Sequence, residues 1–279
     1  MSRVPGIDVS RWQREINWGK VAAAGYRFAV IRATIGNYYT DPRFYVNWNA
    51  AQEAGLLISA YHVLAPERPA DSQMERFFDT LGSRSSHLPI VLDVELSRDM
   101  SADDIASSAR ECVTFIEDET GRRPVIYTAR WFWDRHVVDD PDWNEYCLWV
   151  AHYGTDAPSL PKPWEEWAFW QYSDHGQVPG IDASTDLNWF NGTYEELLDY
   201  VDGDVVKDEM PLAELRACVT METLNLRSGP GMNYGTVGEL HQGDLVNVVS
   251  LAGEDIWIQV APGEWAPFRS RGKRYMELE

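Results

Sequence analysis

The sequence has few cysteines and no long apolar run, and each shortage narrows the class of protein. Its three cysteines, Cys112, Cys147 and Cys218, are too few and too far apart for a disulfide framework, which favours a reducing compartment. No stretch approaches the roughly 18 consecutive apolar residues of a membrane-spanning helix, so we expect no membrane insertion. The first residues also lack the apolar run of a secretory signal, which predicts synthesis in the cytoplasm without a signal peptide.

Basic side chains are scarce as well. Lys and Arg number 24 against 44 Asp and Glu, which gives a formal net charge of −20 and a pI near 4.6. Such a field repels phosphate backbones, so nucleic acid is not an expected partner. The six histidines show no short metal-ligand spacing, and we expect neither a metal nor another cofactor. Aromatic residues are plentiful, with 13 Trp and 13 Tyr; they suit either a bulky core or a cleft whose rings stack on sugars.

Eight short apolar runs, each bounded by turn residues, predict strands at residues 6–10, 28–34, 56–63, 89–96, 124–129, 148–153, 168–173 and 185–190. Helical patterns separate the first runs. One is expected to begin at Asp41 with Pro42 in its first turn, and another has Ser101 and Asp104 in a capping box and ends at Gly121. This alternation predicts an α/β fold, a TIM-like barrel with five βα units followed by three plain strands. An open doubly wound sheet is the alternative, but no glycine-rich phosphate loop supports it.

The composition changes after a predicted closing helix at residues 193–202. We expect a catalytic barrel over residues 1–203 and a charged linker over 204–213. Residues 214–279 alternate short strands with turns such as SGPG and HQGD, which predicts a small all-β, SH3-like barrel.

Two carboxylates lie close together in the run PIVLDVEL. Strand alternation places Asp93 and Glu95 on one face, roughly 6.6 Å apart, at the carboxyl end where barrel active sites form. Asp8 ends the first strand and Asp186 lies in the last, so closure of the barrel would bring these two acids together. Asp182 competes with Asp186 but is more typical of a loop acid. Paired carboxylates are what glycoside hydrolysis requires.

The segments GIDVSRWQ, INW, YHV, VLDVE, PVIYTARWFW, LWVAHY and WQYSDHGQVPGIDASTDLNWFNG resemble glycoside hydrolase family 25, the Chalaropsis-type lysozymes, in order and over nearly all of residues 4–192. The resemblance implies a muramidase that cleaves the β-1,4 bond between N-acetylmuramic acid and N-acetylglucosamine in bacterial peptidoglycan. It implies Glu95 as general acid, Asp93 as the group that orients the substrate acetamide, and Asp8 and Asp186 as further site acids. The implied sugar contacts are Tyr61, Tyr127, Trp149, Gln171 and Tyr172.

One departure from the family pattern follows Ala33 and Thr34. The family usually has an acidic residue next, and this chain has Ile35, which bears on substrate positioning but leaves the four acids in place. The predicted course is attack by the substrate's own acetamido group with retention, and direct attack by water with inversion is the alternative.

Residues 223–249, beginning LNLRSGPG at Leu224, resemble a bacterial SH3-type domain. The resemblance implies binding to the cell wall, with Tyr234, Trp257 and Trp265 as candidate contacts or, equally, as members of a small core. The basic run formed by Arg269, Arg271, Lys273 and Arg274 is either a contact for anionic polymers or, more simply, a solvated segment.

Other functions remain to be weighed against a muramidase. A zinc amidase needs clustered His or Cys ligands, and the sequence shows no such cluster. A thiol peptidase needs a Cys–His pair, but Cys147 and His152 are five residues apart on one strand and would point to opposite faces. A chitinase-like hydrolase, a cellular autolysin and a non-catalytic wall-binding protein stay open. A phage endolysin, released through a membrane hole to act on the wall, suits the missing export signal best.

Overall fold

The computed structural model divides the chain into two units, residues 1–206 and 207–279. The structure describes residues 3–202, 216–229, 231, 234–247, 250–252, 256–261, 264–270 and 273–278. The predicted linker 204–213 lies outside the described residues. Within the described part of the chain, no helix is both long and apolar enough to span a bilayer.

The first unit contains nine strands: β1 (Val4–Val9), β2 (Phe28–Ile35), β3 (Tyr39–Thr40), β4 (Leu57–Val63), β5 (Val91–Asp93), β6 (Val125–Ala129), β7 (Cys147–Ala151), β8 (Phe169–Gly176) and β9 (Thr185–Phe190). Eight of them close a barrel in the order β1, β2, β4, β5, β6, β7, β8, β9, with β9 pairing back to β1. The pairs from β1 to β8 are parallel, and β9 is antiparallel to both of its neighbours. The predicted α/β barrel is therefore confirmed, and the open sheet is wrong. The short β3, which no pattern predicted, pairs with the end of β2.

Six helices accompany these strands: α1 (Trp18–Ala23), α2 (Phe44–Glu53), α3 (Ala70–Leu81), α4 (Ala102–Thr120), α5 (Arg130–His136) and α6 (Tyr194–Asp202). Helix α4 begins at the predicted cap, where Ser101 accepts a hydrogen bond from the Asp104 backbone, and ends at Gly121 in the left-handed conformation. Helix α2 begins later than predicted, at Phe44. Pro42 lies in a turn before it, and the Asp41 carboxylate accepts a hydrogen bond from the Arg43 backbone.

The inward-facing side chains change from apolar to polar along the parallel strands of the barrel. Near the amino ends of the parallel strands, Phe28, Val91, Val125 and Phe169 fill the barrel interior. A Cβ on Gly6 would lie 2.2 Å from the Phe28 ring, so only glycine leaves room for that ring. Nearer the carboxyl ends, polar side chains take the inward positions, and the functional groups therefore gather at that end.

The second unit is all-β, as predicted: β10 (Arg216–Val219), β11 (Thr223–Arg227), β12 (Thr236–His241), β13 (Leu245–Asn247), β14 (Ser250–Ala252), β15 (Ile256–Ala261), β16 (Glu264–Ser270), β17 (Lys273–Arg274) and β18 (Met276–Leu278). All of their described pairings are antiparallel. Its core is small and contains Ala217, Val219, Leu224, Leu226, Ile258 and Ala266.

Candidate active site

A cavity of about 240 Å³ opens at the carboxyl ends of the parallel strands. All four predicted acids line it: Asp8, Asp93, Glu95 and Asp186. Asp182, the competitor for the fourth position, is exposed and lies outside this cavity in the loop before β9. Four carboxyl groups in so small a space cannot all be ionised, because each charge opposes the next.

Closure of the barrel sets the first acidic pair, because Asp8 of β1 lies directly opposite Asp186 of β9. Asp8 is buried, and its Oδ2 accepts hydrogen bonds of 2.8 Å from both Gln171 Nε2 and Asn188 Nδ2. Burial raises the pKa of Asp8, while hydrogen bonds from Asn188, Gln171 and Asp186 oppose the rise. Burial, then the charge of Asp8, raises the pKa of Asp186 to about 9. Asp186 therefore keeps its proton and donates a hydrogen bond to the Asp8 carboxylate.

The second acidic pair stands at the end of β5. Regular pairing stops at Asp93, but the Val94 amide donates to the Tyr127 carbonyl at 2.9 Å and Val94 is buried outside the barrel, so alternation continues to Glu95. Asp93 is buried, and burial, then the charges of Glu95 and Asp8, raise its pKa well above the usual range. Its Oδ1 has no hydrogen-bond partner among the described residues. Glu95 lies at the mouth, where partial desolvation and then the charge of Asp8 raise its pKa.

One cation faces these acids. Arg32 is the only Lys or Arg among the described residues that line the cavity, and its charge acts to lower the pKa values of Asp8, Asp93 and Glu95. Its Nε donates to Oδ2 of the buried Asp41 at 2.9 Å. The same Oδ2 accepts from the Arg11 backbone at 3.1 Å, and Oδ1 accepts from the Arg43 backbone at 2.9 Å. Asp41 therefore fixes both the guanidinium and the turn that follows β1.

Aromatic and amide side chains form the remaining wall. Tyr61, Tyr127, Trp149 and Gln171, all predicted sugar contacts, line the cavity. The hydroxyls of Tyr127 and Tyr153 donate to Gln171 Oε1 at 2.8 and 2.6 Å, and Gln171 in turn donates to Asp8. Trp149 Nε1 donates to Asn188 Oδ1 at 2.9 Å, so the indole is also tied to Asp8 through one amide.

Tyr172, the fifth predicted sugar contact, lies away from the acidic cavity. Gln171 points into the barrel, so its neighbour on β8 points out, and the Tyr172 ring stacks on Trp189 with centroids 5.1 Å apart. Tyr172 packs against the outer core and is not among the residues that line the acidic cavity.

Several residues of the cavity were missed from the sequence: Ser10, Trp12, Gln13, Arg32 and Tyr153, together with Asn188 behind the wall. Asn188 could have been found, because it is two residues from Asp186 on the same strand and so shares its face. Arg32 shares a face with the apolar Val30 in the same way. Tyr153 follows the end of β7, where strand alternation no longer predicts which way a side chain points.

In the second unit the three aromatic candidates differ in what the structure describes. Tyr234 is 43% exposed and Trp265 is half-buried, and neither belongs to the described core. The side chain of Trp257 lies outside the described residues. Arg269 and Arg274 are paired across the β16–β17 hairpin, so this part of the basic run lies in a hairpin, while Arg271 is outside the described residues.

Comparison with known proteins agrees with this geometry. The profile of Glycosyl hydrolases family 25 matches residues 7–181, and that of the Bacterial SH3 domain matches residues 222–273. Lysozyme M1 of Streptomyces globisporus is 38% identical over 71% of this chain and 71% of its own length. The N,O-diacetylmuramidase of Chalaropsis sp. is 30% identical over 70% of this chain and 97% of its own. The solved lysozyme of Streptomyces coelicolor has a TM-score of 0.67 at 34% identity, covering 72% of this chain and 98% of that one.

An acidic barrel mouth of this kind, with aromatic walls, defines a glycoside hydrolase. The chain belongs to glycosyl hydrolase family 25, is a glycosidase of the muramidase type, and carries a bacterial SH3 domain. Among the described residues, no group of three or more His, Cys, Asp or Glu side chains could hold a metal ion.

The protonated Asp186 generates a pH-dependent prediction. Its pKa rises from 3.8 to about 9 on folding, so the folded state keeps a proton that the unfolded chain loses between those values. The free energy of unfolding therefore falls as pH rises through this window, by at most about 1.4 kcal/mol per pH unit from this group. Asp186→Asn keeps an N–H donor towards Asp8 and cannot ionise. We expect it to become progressively more stable than the unsubstituted protein from pH 4 to 9, measured by urea unfolding. Asp182→Asn is the control, and parallel profiles for Asp186→Asn would contradict the assignment.

Proposed function

We propose that the protein cleaves the β-1,4 bond between N-acetylmuramic acid and N-acetylglucosamine in bacterial peptidoglycan. The observation that carries this proposal is the contrast between the two acids that follow β5. Asp93 is buried with an unpartnered oxygen, while Glu95 lies at the mouth with a raised pKa. The lysozyme and diacetylmuramidase relatives support the choice of substrate.

Asp93 and Glu95 have different roles once the sugar is bound. Burial and the repulsion between Asp93, Glu95 and Asp8 keep protons on this group of acids. An acetamido N–H that donates to the unpartnered Oδ1 favours the ionised form of Asp93, and the proton then stays on Glu95. Glu95 is thereby set as the general acid, and Asp93 as the group that orients the acetamide.

The bond is broken in two steps. The acetamido carbonyl oxygen attacks the anomeric carbon while Glu95 gives its proton to the glycosidic oxygen, which leaves with the bonding electron pair. The positive charge of the resulting oxazolinium ion lies near ionised Asp93. Water, losing a proton to Glu95, then attacks the same carbon from the opposite face of the ring and displaces the acetamido oxygen, which takes the bonding electron pair; this regenerates the acid and retains configuration. Direct attack by water on the glycoside would instead invert it.

Glu95 is tested by digesting purified peptidoglycan and analysing the soluble fragments by mass spectrometry. The unsubstituted protein is expected to release fragments with new muramic acid reducing ends, which NMR shows first as the retained anomer. Glu95→Gln cannot donate the proton, and we expect a rate lower by about 10²–10⁴-fold.

Glu119→Gln is the matched control, because Glu119 is exposed at the end of α4, just before β6 begins and therefore at the other end of the barrel, and its loss should leave the rate unchanged. Fragments cut between peptide and glycan would indicate an amidase and refute the proposal, as would full activity in Glu95→Gln. An inverted first product would refute only the acetamido path.

The SH3 domain is proposed to hold the enzyme on the wall through aromatic residues that lie outside its described core. We expect Tyr234→Ala and Trp265→Ala, each in the Glu95→Gln protein, to reduce co-sedimentation with purified sacculi several-fold, since both side chains lie outside the described core. Val237→Ala is the control because Val237 is 52% exposed and apolar without an aromatic ring. If all three variants sediment alike, the aromatic contact is wrong.

The proposed biological role is that of a phage endolysin, made in the cytoplasm and released to the wall. All three cysteines are described and no disulfide joins them, which suits a reducing compartment. We expect bacteria that express the chain internally to lyse only after the inner membrane is permeabilised, followed as culture turbidity. Lysis without permeabilisation would favour the alternative of an exported cellular autolysin.

A further inference from the structure

Two tryptophans stand exposed on the rim of the barrel. Trp12 is 63% exposed and Trp131 is 71% exposed, the largest exposures among the described large apolar side chains. An indole left in water forgoes a large hydrophobic gain, which a ligand bound at this end of the barrel would recover. The mechanism above uses neither.

Their places in the fold put them on opposite sides of the acids. Trp12 lies in the turn after β1, and Trp131 is the second residue of α5, directly after β6. In the closed ring of eight strands, β6 is the fourth neighbour of β1 in either direction. The two strands are parallel in the barrel, so both side chains lie at the rim where the acidic cavity opens. Strand spacing and tilt give roughly 15 Å between opposite strands of such a barrel.

Each tryptophan adjoins a cavity of its own. Trp12 lines the acidic cavity and also a neighbouring one that contains Asp182 and Ala183. Trp131 lines a cavity of about 300 Å³ with Arg130, Asp134, Ala151 and His152. The residue after His152, Tyr153, lines the acidic cavity, so the end of β7 borders both cavities.

The turn that carries Trp12 is held before any ligand arrives. Ser10 and Gln13 form a capping box across it, and Gln13 Nε2 donates to the Ser184 carbonyl at 3.0 Å. The Arg11 guanidinium lies 4.5 Å from the centre of the Trp12 ring and supports one face. An exposed ring fixed in this way binds at a lower entropic cost than a mobile one.

We infer that Trp12 and Trp131 are the two ends of an extended glycan track, and that an amino-sugar chain lies across the barrel mouth with a pyranose ring against each indole. The acids then act on a bond in the middle of the chain. Arg130 and Asp134, paired at 3.0 Å and exposed beside Trp131, offer donors and acceptors for sugar hydroxyl and acetamido groups. This inference rests on the proposed function, because it assumes a glycan substrate.

The test measures binding, so that it does not depend on turnover. The probe is peptide-free glycan strands from purified peptidoglycan, compared with the MurNAc–GlcNAc disaccharide, and titrated calorimetrically into the full chain carrying Glu95→Gln. We expect Trp12→Ala and Trp131→Ala each to weaken binding of long strands by about tenfold, and the double variant by about a hundredfold, because the sites are far apart. The disaccharide is too short to reach both rings, so the double variant should not weaken its binding a hundredfold.

Tyr194→Ala is the matched control, because Tyr194 is 37% exposed at the start of α6, beyond the end of β9 and therefore at the other end of the barrel. Unchanged melting temperatures verify that the variants are folded, and Trp131→Tyr should recover part of the affinity. Long strands that bind Trp131→Ala as tightly as Tyr194→Ala would overturn the track. Failure of the unsubstituted protein to cut glycan, with tryptophan-dependent binding intact, would instead overturn the proposed function and leave the track standing.

Discussion

Repulsion among four carboxyl groups governs this site. They share a cavity of about 240 Å³ with a single guanidinium, so the folded protein must keep protons on some of them. The two acidic pairs differ in how this repulsion is relieved. In the pair on β1 and β9, Asp186 keeps a proton, and the side-chain amides of Gln171 and Asn188 donate hydrogen bonds that stabilise the charge on Asp8. That leaves the pair after β5 to exchange a proton with the substrate. An acid that is costly to ionise is also an acid available to give its proton at neutral pH.

The antiparallel return of β9 reverses the order of polar and apolar residues within this strand. The parallel strands start apolar and reach the rim with polar residues, whereas β9 begins at the rim with Asp186 and ends at the bottom with Phe190, opposite Val4. The three strands β7, β8 and β9 follow one another without α-helices between them. Trp170, Tyr172 and Trp189 pack on the outer surface there. The many aromatic residues thus serve both uses considered from composition, core and cleft.

Much of the acidic site could be predicted from the sequence, because the positions of its carboxyl groups depend on the two-residue alternation of strands and on the order of the strands. Alternation alone places Asp93 beside Glu95, and barrel closure alone places Asp8 beside Asp186. What failed depends on contacts between distant segments. Asp41 was expected to cap a helix, yet it binds Arg32 and the Arg11 backbone, which only the folded chain brings within reach. Tyr172 was expected beside the other sugar contacts, while the alternation on β8, set by Gln171, points it outward.

Asp41 joins two parts of the site. A single buried carboxylate oxygen accepts from the turn that carries Trp12 and from the only cation in the described cavity lining. The rim and the catalytic floor therefore share one mechanical anchor. Two hydrogen bonds to this oxygen join the backbone of the turn to the guanidinium. Loss of the Asp41 carboxylate would therefore release the turn and the charge that opposes the acids at the same time.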